Sequence, residues 1–202
     1  MNSKPIIAID IDDVLAANAK SFIDFSNERF GTKLTIDDYH EHWGEMWNVD
    51  HDEVERRSDM YHSSGNIERC EIIDGAKDVL TELKNRYEFV IITSRLKQIQ
   101  DITKDWINRC YPNIFSKIIF SGIFDDSIEK DSIHRTKSSI ANDMKADFMI
   151  DDQLKHVEAA AKLGIKCLLF GNYSWNKSDN LHTNIVRVKD WNEVLNYFNN
   201  LK

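Results

Sequence analysis

Five short runs rich in β-branched and aromatic residues, Pro5 to Ile9, Phe89 to Thr93, Lys117 to Phe120, Phe148 to Ile150 and Lys166 to Phe170, are separated by stretches whose apolar residues recur at helical spacing. Strands joined through helices pair in parallel, and a parallel sheet has to be covered by helices on both faces. The alternation therefore predicts an α/β fold with a Rossmann-like, doubly wound sheet. Helices are expected over Gly75 to Arg86, Ile99 to Cys110, Lys137 to Met144 and Leu154 to Leu163, the last stopped by Gly164, and a final one over Trp191 to Leu201.

One interval is too long for this rhythm. A crossover from the first run to the second needs one helix, and the stretch from Gly75 already supplies it. The surplus holds a helical pattern over Asn18 to Phe30 closed by Gly31, a helix-start signal at Thr35 with Asp38 three residues on, and a second pattern over Asp52 to His62 closed before Gly65. This predicts a small helical cap over residues 17–72 inserted into a core of residues 1–16 and 73–202.

Charge and cysteine content narrow the function. Thirty-four acidic residues against 26 basic ones leave a net charge of −8, the wrong sign for holding a nucleic acid polymer through its phosphates. No apolar run approaches the ~20 residues of a membrane helix, and Asp10 interrupts the N-terminal one too early for a signal peptide. The expectation is a cytoplasmic protein with a small soluble partner. Cys70, Cys110 and Cys167 are odd in number and lack a CxxC spacing, which favours buried reduced thiols.

Ligands of an open parallel sheet bind at the carboxyl ends of its strands, and reactive side chains recur there. The first run ends in Asp10, Ile11, Asp12 and Asp13, the second in Thr93 and Ser94, and the fourth in Asp151 and Asp152, with Lys137 opening the helix before it. Clustered carboxylates call for a hard cation, and oxygen ligands suit Mg²⁺. Asp10 can attack phosphorus to form an aspartyl phosphate. Asp12 can protonate the leaving oxygen and then deprotonate water. Thr93, Ser94 and Lys137 can hold phosphoryl oxygens and the charge that develops on them.

The segments DIDDVL, VIITS, the lone Lys137 and MIDD resemble the four motifs of the haloacid dehalogenase-like (HAD) phosphatase superfamily, in order and across the whole chain. The resemblance implies Asp10 as nucleophile, Asp12 as acid and base, Thr93 as phosphate ligand and Lys137 as charge stabiliser. It also implies Mg²⁺ on Asp10, the Asp12 carbonyl and the pair Asp151 and Asp152. Leu15 and Ala16, the Thr93-Ser94 pair with Lys97 beyond it, and Ile150 to Asp152 are similar to the 5'(3')-deoxyribonucleotidase branch, which implies a nucleoside monophosphate as substrate. Asp13, Arg95 and Gln153 depart from that branch, where glycine, proline and arginine are usual.

Several residues carry two readings. Asp13 reads as a turn former or helix cap. Of Asp151 and Asp152, one is expected to cap the following helix and the other to bind metal, and the sequence does not say which. Lys97 ranks above Arg95 as a substrate contact, because the branch has a lysine there. Trp43 and Trp47, at helical spacing in the cap, either pack its core or stack on a nucleobase. His40, His42, His51 and His62 lack a zinc-ligand pattern, and Asp125, Asp126 and Glu129 to Asp131 read as a solvated loop. Alternatives to a nucleotidase are a phosphatase for a sugar phosphate or similar ester, a phospho-receiver module, which would need no cap, and a binding protein that has lost catalysis. The oligomeric state is not encoded in any of these features.

Overall fold

A computed structural model describes residues 3–122 and 135–201. Its sheet has six parallel strands, β1 (Ile6–Ile9), β2 (Glu88–Thr93), β3 (Phe115–Phe120), β4 (Phe148–Asp151), β5 (Lys166–Phe170) and β6 (Ile185–Val188), in the order β3-β2-β1-β4-β5-β6. The α/β expectation holds. Ile7 lies opposite Phe89 on one side and Phe148 on the other, so β1 is central and the chain winds outward from it in both directions. This reversal of direction places the carboxyl ends of β1, β2 and β4 side by side.

Alternation along the strands divides the core. Ile7 and Ile9 face a layer built by α5 (Ala76–Leu83), α6 (Gln100–Cys110) and α9 (Trp191–Asn199), through Leu80, Trp106, Trp191 and Phe198. Ala8, Val90 and Met149 face α7 (Lys137–Asp143) and α8 (Leu154–Lys162), through Ile140, Val157 and Ala160. Both faces are thus apolar, as a buried parallel sheet requires.

The surplus between β1 and β2 forms α1 (Asn18–Phe30), a 3-10 turn over Ile36–Asp38, α2 (Trp43–Trp47), α3 (His51–Ser63) and α4 (Asn66–Arg69). α1 ends where Gly31 takes the left-handed conformation at φ 66°, a position glycine occupies without steric penalty. Thr35 and Asp38 close a reciprocal capping box. The insertion's Phe22, Tyr39, Trp47, Tyr61 and Ile67 gather in a third apolar cluster, which Ile99 after β2 joins.

The chain enters and leaves this insertion along one seam. Ala17 N donates to Glu71 O at 2.9 Å, Ile73 N donates to Leu15 O at 2.9 Å, and Ala16 forms an antiparallel bridge with Ile72. Three aromatic donors from the core fix its carbonyls: Trp191 Nε1 to Val14 O at 2.9 Å, Tyr111 OH to Leu15 O at 2.7 Å and Trp106 Nε1 to Cys70 O at 2.9 Å. Buried carbonyls are thereby satisfied by rings that also fill the core.

The elements differ from the sequence reading mainly at their ends. β3 begins at Phe115 rather than Lys117, and α5 stops at Leu83. β6 was absent from the expectation: Ile185–Val188 is a short edge strand interrupted by Arg187, too brief to show a period. Cys70 and Cys167 are buried free thiols, while Cys110 is partly exposed. The acidic stretch at Asp125 to Asp131 lies outside the described residues.

Candidate active site

Asp10 follows directly on β1, and its backbone N–H donates to Ile150 O at 3.0 Å, which keeps it in sheet register beside β4. Thr136 caps α7 by accepting from Ser139 N at 3.1 Å, and this start places Lys137 in the first turn, pointing back at the sheet. Lys137 Nζ lies 2.7 Å from Asp10 Oδ2 and 2.9 Å from Asp151 Oδ2, with the lysine 2% exposed. A buried ammonium survives only with such partners. Burial works against its charge, yet the two carboxylates hold its pKa above the usual lysine value.

The carboxylates respond differently. Burial pushes Asp10 up, the Lys137 ammonium opposes this, and Asp151 and Asp12 add to it, leaving the group at about 7. Asp151 also suffers burial, but Lys137 and His156 pull it below the usual carboxylate range. His156 Nδ1 is 3.2 Å from Asp151 Oδ1, which also accepts from Gln153 N at 2.9 Å. Asp152 is raised by burial and by the neighbouring Asp151, Asp10 and Asp13.

Carboxylate oxygens of Asp10, Asp151 and Asp152 come within 4.8 Å of one another. Asp10 Oδ1 is buried without a hydrogen-bond partner among the described residues. A buried carboxyl oxygen without a partner, on a residue grouped with two more carboxylates, fits a hard cation. Among the described residues no histidine or cysteine joins such a group. The expected helix cap is corrected: neither aspartate caps α8, whose N-cap is Gln153 with no side-chain capping bond.

Asp12 stands apart from that group. Arg95 grips it with Nη2 at 2.7 Å from Oδ1, and with Nε at 3.1 Å from Oδ1 and 3.2 Å from Oδ2, while Nη1 donates to Thr103 Oγ1 at 3.3 Å. The sequence reading ranked Arg95 below Lys97. In the structure Arg95 is buried against Asp12, whereas Lys97 is an exposed residue opening the 3-10 turn at Lys97–Ile99. Thr93 is fully buried at the end of β2, its Oγ1 accepting from Arg95 N at 3.2 Å, and Ser94 follows with its Oγ 3.5 Å from Ser121 Oγ. Asp13 sits at φ 55°, and its carboxylate accepts from Ala19 N at 3.0 Å, in the first turn of α1. A left-handed turn explains why glycine suits this position, and Asp is among the few side chains that tolerate it.

Trp43 and Trp47 both join the insertion's aromatic cluster. The Trp47 ring is 5% exposed, stacked on Phe22 at 5.0 Å, and its Nε1 donates to Ser26 Oγ at 3.0 Å. This corrects the expectation that Trp47 stacks on a substrate: its indole is committed to packing. Trp43 is half-buried beside Phe22 at 4.4 Å and His62 at 5.9 Å. Replacing Trp47 by Ala should cost about 3 to 5 kcal/mol of stability, read as a lowered midpoint in urea; an unchanged midpoint would contradict the packing role.

The motif reading missed Trp175, Asn176 and Tyr39. Trp175 Nε1 donates to Asp152 Oδ2 at 2.6 Å and Tyr39 meets the Trp175 ring edge-on at 5.2 Å. They lie in a loop after β5 and in the insertion, where no local pattern marks them.

No described helix is long and apolar enough to cross a membrane. The "Putative nucleotidase YqfW" of Bacillus subtilis (strain 168) is 25% identical over 199 residues, covering 97% of this chain and 94% of the relative. A haloacid dehalogenase-like family hydrolase from Streptococcus pneumoniae, SP0104, shares the fold with a TM-score of 0.68 at 16% identity, over 98% of this chain and 100% of that one. A HAD-superfamily hydrolase of subfamily IA from Geobacter sulfurreducens PCA, GSU2069, matches with a TM-score of 0.60 at 13% identity, over 96% of each chain. The family model described as "5' nucleotidase, deoxy (Pyrimidine), cytosolic type C protein" matches residues 4–200, and so takes in every strand of the sheet and all three carboxylates gathered at its centre. The chain belongs to that family, and it is a HAD-like phosphohydrolase.

Proposed function

We propose that the protein is a Mg²⁺-dependent 5'(3')-(deoxy)ribonucleotidase of the cytoplasm that hydrolyses nucleoside monophosphates through an aspartyl phosphate on Asp10. The observation that carries this reading is the buried chain Asp10–Lys137–Asp151 with one Asp10 oxygen left without a partner among the described residues. We read residues 17–72 as a cap over a core of residues 1–16 and 73–202. The family description and the name of the Bacillus relative support the substrate class.

In this reading an Asp10 oxygen attacks phosphorus, the bond from phosphorus to the ester oxygen breaks, and Asp12 gives that oxygen a proton. Asp12 then takes a proton from water as the water attacks the phosphorus, and the bond to Asp10 breaks to regenerate the carboxylate. Both Asp12 oxygens rest on Arg95, so one must be freed to reach the leaving group. Thr93 and Ser94, with the Lys137 ammonium, hold phosphoryl oxygens and the transition-state charge. Asp10, Asp151, Asp152 and the Asp12 carbonyl would hold Mg²⁺, which supplies positive charge for the phosphoryl oxygens.

Trp43 is the ring we assign to the base. His62 beside it has a buried Nδ1 without a partner among the described residues, and burial with the nearby Arg95 charge keeps its pKa low. The neutral imidazole leaves this side of the indole uncharged, and the half-buried Trp43 ring offers the stacking surface. Trp43→Ala should lower kcat/KM for nucleoside monophosphates by about 5- to 150-fold and change p-nitrophenyl phosphate hydrolysis far less. Equal losses on both substrates would remove Trp43 from base recognition.

The direct test is phosphate release by purified protein with Mg²⁺ across nucleoside monophosphates and sugar phosphates. Nucleotides should be preferred, EDTA should silence the reaction, and added Mg²⁺ should restore it. A preference for sugar phosphates would overturn the nucleotidase reading, and full activity after exhaustive chelation would overturn the metal.

A further inference from the structure

Among the three gathered carboxylates, Asp152 is the one held by a segment that the strand-end motifs do not contain. After β5 the chain turns through Gly171 and forms a 3-10 turn over Ser174–Asn176. From this turn Trp175 donates Nε1 to Asp152 Oδ2 at 2.6 Å, while Asn176 donates Nδ2 to Asp152 O at 2.9 Å and to Phe170 O at 2.8 Å. Asn176 is itself gripped by Arg187 of β6, which donates Nη1 to Oδ1 at 2.9 Å and Nη2 to the backbone O at 2.7 Å.

The indole has little freedom. Tyr173 stacks on it at 4.3 Å with the rings 4° from parallel, and Tyr39 meets it edge-on at 5.2 Å. Tyr173 is anchored in turn through its hydroxyl, which donates to Asp13 O at 2.9 Å. Gln153 adds a second donor to the same Asp152 oxygen, Nε2 to Oδ2 at 3.1 Å. Two neutral donors therefore fix one oxygen of a carboxylate that belongs to the acidic group.

We propose that Trp175 is a positioning residue for the divalent cation: its N–H locks the rotamer in which Asp152 offers an oxygen to the ion shared with Asp10 and Asp151. This inference rests on the metal reading above. The physical reason lies in the kind of donor. A lysine or arginine at this place would orient the carboxylate but also neutralise it and repel a cation. An indole N–H donates one bond, carries no charge and cannot accept, so it orients Asp152 and leaves its negative charge for the metal. Ligands fixed by such outer contacts bind metal more tightly, and loss of an outer contact typically costs about 10- to 100-fold in affinity.

The test is Mg²⁺ titration of purified protein by calorimetry. Trp175→Phe keeps a ring between Tyr173 and Tyr39 and deletes only the donor, and it should raise the Kd for Mg²⁺ by about 10-fold or more. Trp191→Phe, which deletes an indole donor that serves Val14 O and not Asp152, should bind Mg²⁺ like the wild type. Asp152→Asn should bind more weakly still, and adding Trp175→Phe to it should cause no further loss, because both changes act through one contact. Wild-type affinity in Trp175→Phe would overturn the proposal, as would an equal loss in Trp191→Phe or a full additional loss in the double variant. Absence of any Mg²⁺ binding by the wild type would instead overturn the metal reading, a separate result.

Discussion

Asp10→Asn is expected to abolish phosphate release, by about 10⁴-fold or more, in a protein that folds as well as the wild type. An amide cannot form the phosphoenzyme, so the loss falls on turnover. Its effect on stability has the opposite sign. Burial raises the Asp10 pKa to about 7, well above its ordinary value of 3.8. Stability from a group raised in this way is fully present below the unfolded pKa and is lost as pH rises through about 7. The wild type without metal therefore gives up stability at and above neutral pH, and the neutral Asn does not. Thermal midpoints measured in EDTA should show Asp10→Asn at or above the wild type, with the margin widening as pH rises to about 7 and level above it. Near-normal turnover in the folded variant would remove Asp10 as nucleophile.

Lys137→Met should fail in both respects. The ammonium is shared by Asp10 and Asp151, and removing it leaves two buried carboxylates side by side with only His156, on Asp151, to offset them. Breaking a buried pair from one side typically costs about 3 to 5 kcal/mol, which in a chain of this size lowers the midpoint by roughly 10 °C. The deficit should depend on pH. Lys137 lowers both carboxyls in the folded protein, so without it both folded pKa values move up, and the variant approaches the wild type as pH falls and diverges from it as pH rises. Turnover should fall by about 10³-fold or more, since charge on the transferring phosphoryl group loses its fixed cation. A midpoint insensitive to pH, equal to that of the wild type, would show that Lys137 does not neutralise the pair.

The strand-end residues were legible because a parallel sheet obliges its strand ends to meet: once Ile6–Ile9 and Phe148–Asp151 are both buried strands, Asp10 and Asp151 have no other place to go. The α1 boundary at Gly31 was legible for a local reason, a glycine where a left-handed residue ends a helix. Contacts across the chain were not. Arg95 and Asp12 lie 83 residues apart, and the charge of an arginine after a strand looks like that of any wet loop. Trp175 is equally silent in sequence, since its partner Asp152 is 23 residues away and no period joins them. The helical spacing of Trp43 and Trp47 placed both rings in one short helix but could not tell that Trp47 turns toward Ser26 and Phe22.

The seam at Ala16 and Ile72 has a consequence for how such a chain can diversify. Departure and return lie side by side, tied by Ala17 to Glu71 and by Leu15 to Ile73, and three core rings hold that junction from below. The whole excursion between them is a loop in the topological sense, closed at its base whatever its contents. A different helical module could be spliced in at residues 18–69 without rethreading a strand or moving Asp10, since the junction and not the excursion sets the path out of β1. On the reading proposed above, in which this excursion is a cap that supplies the base-stacking ring, substrate preference and chemical step are separable at one short stretch of backbone.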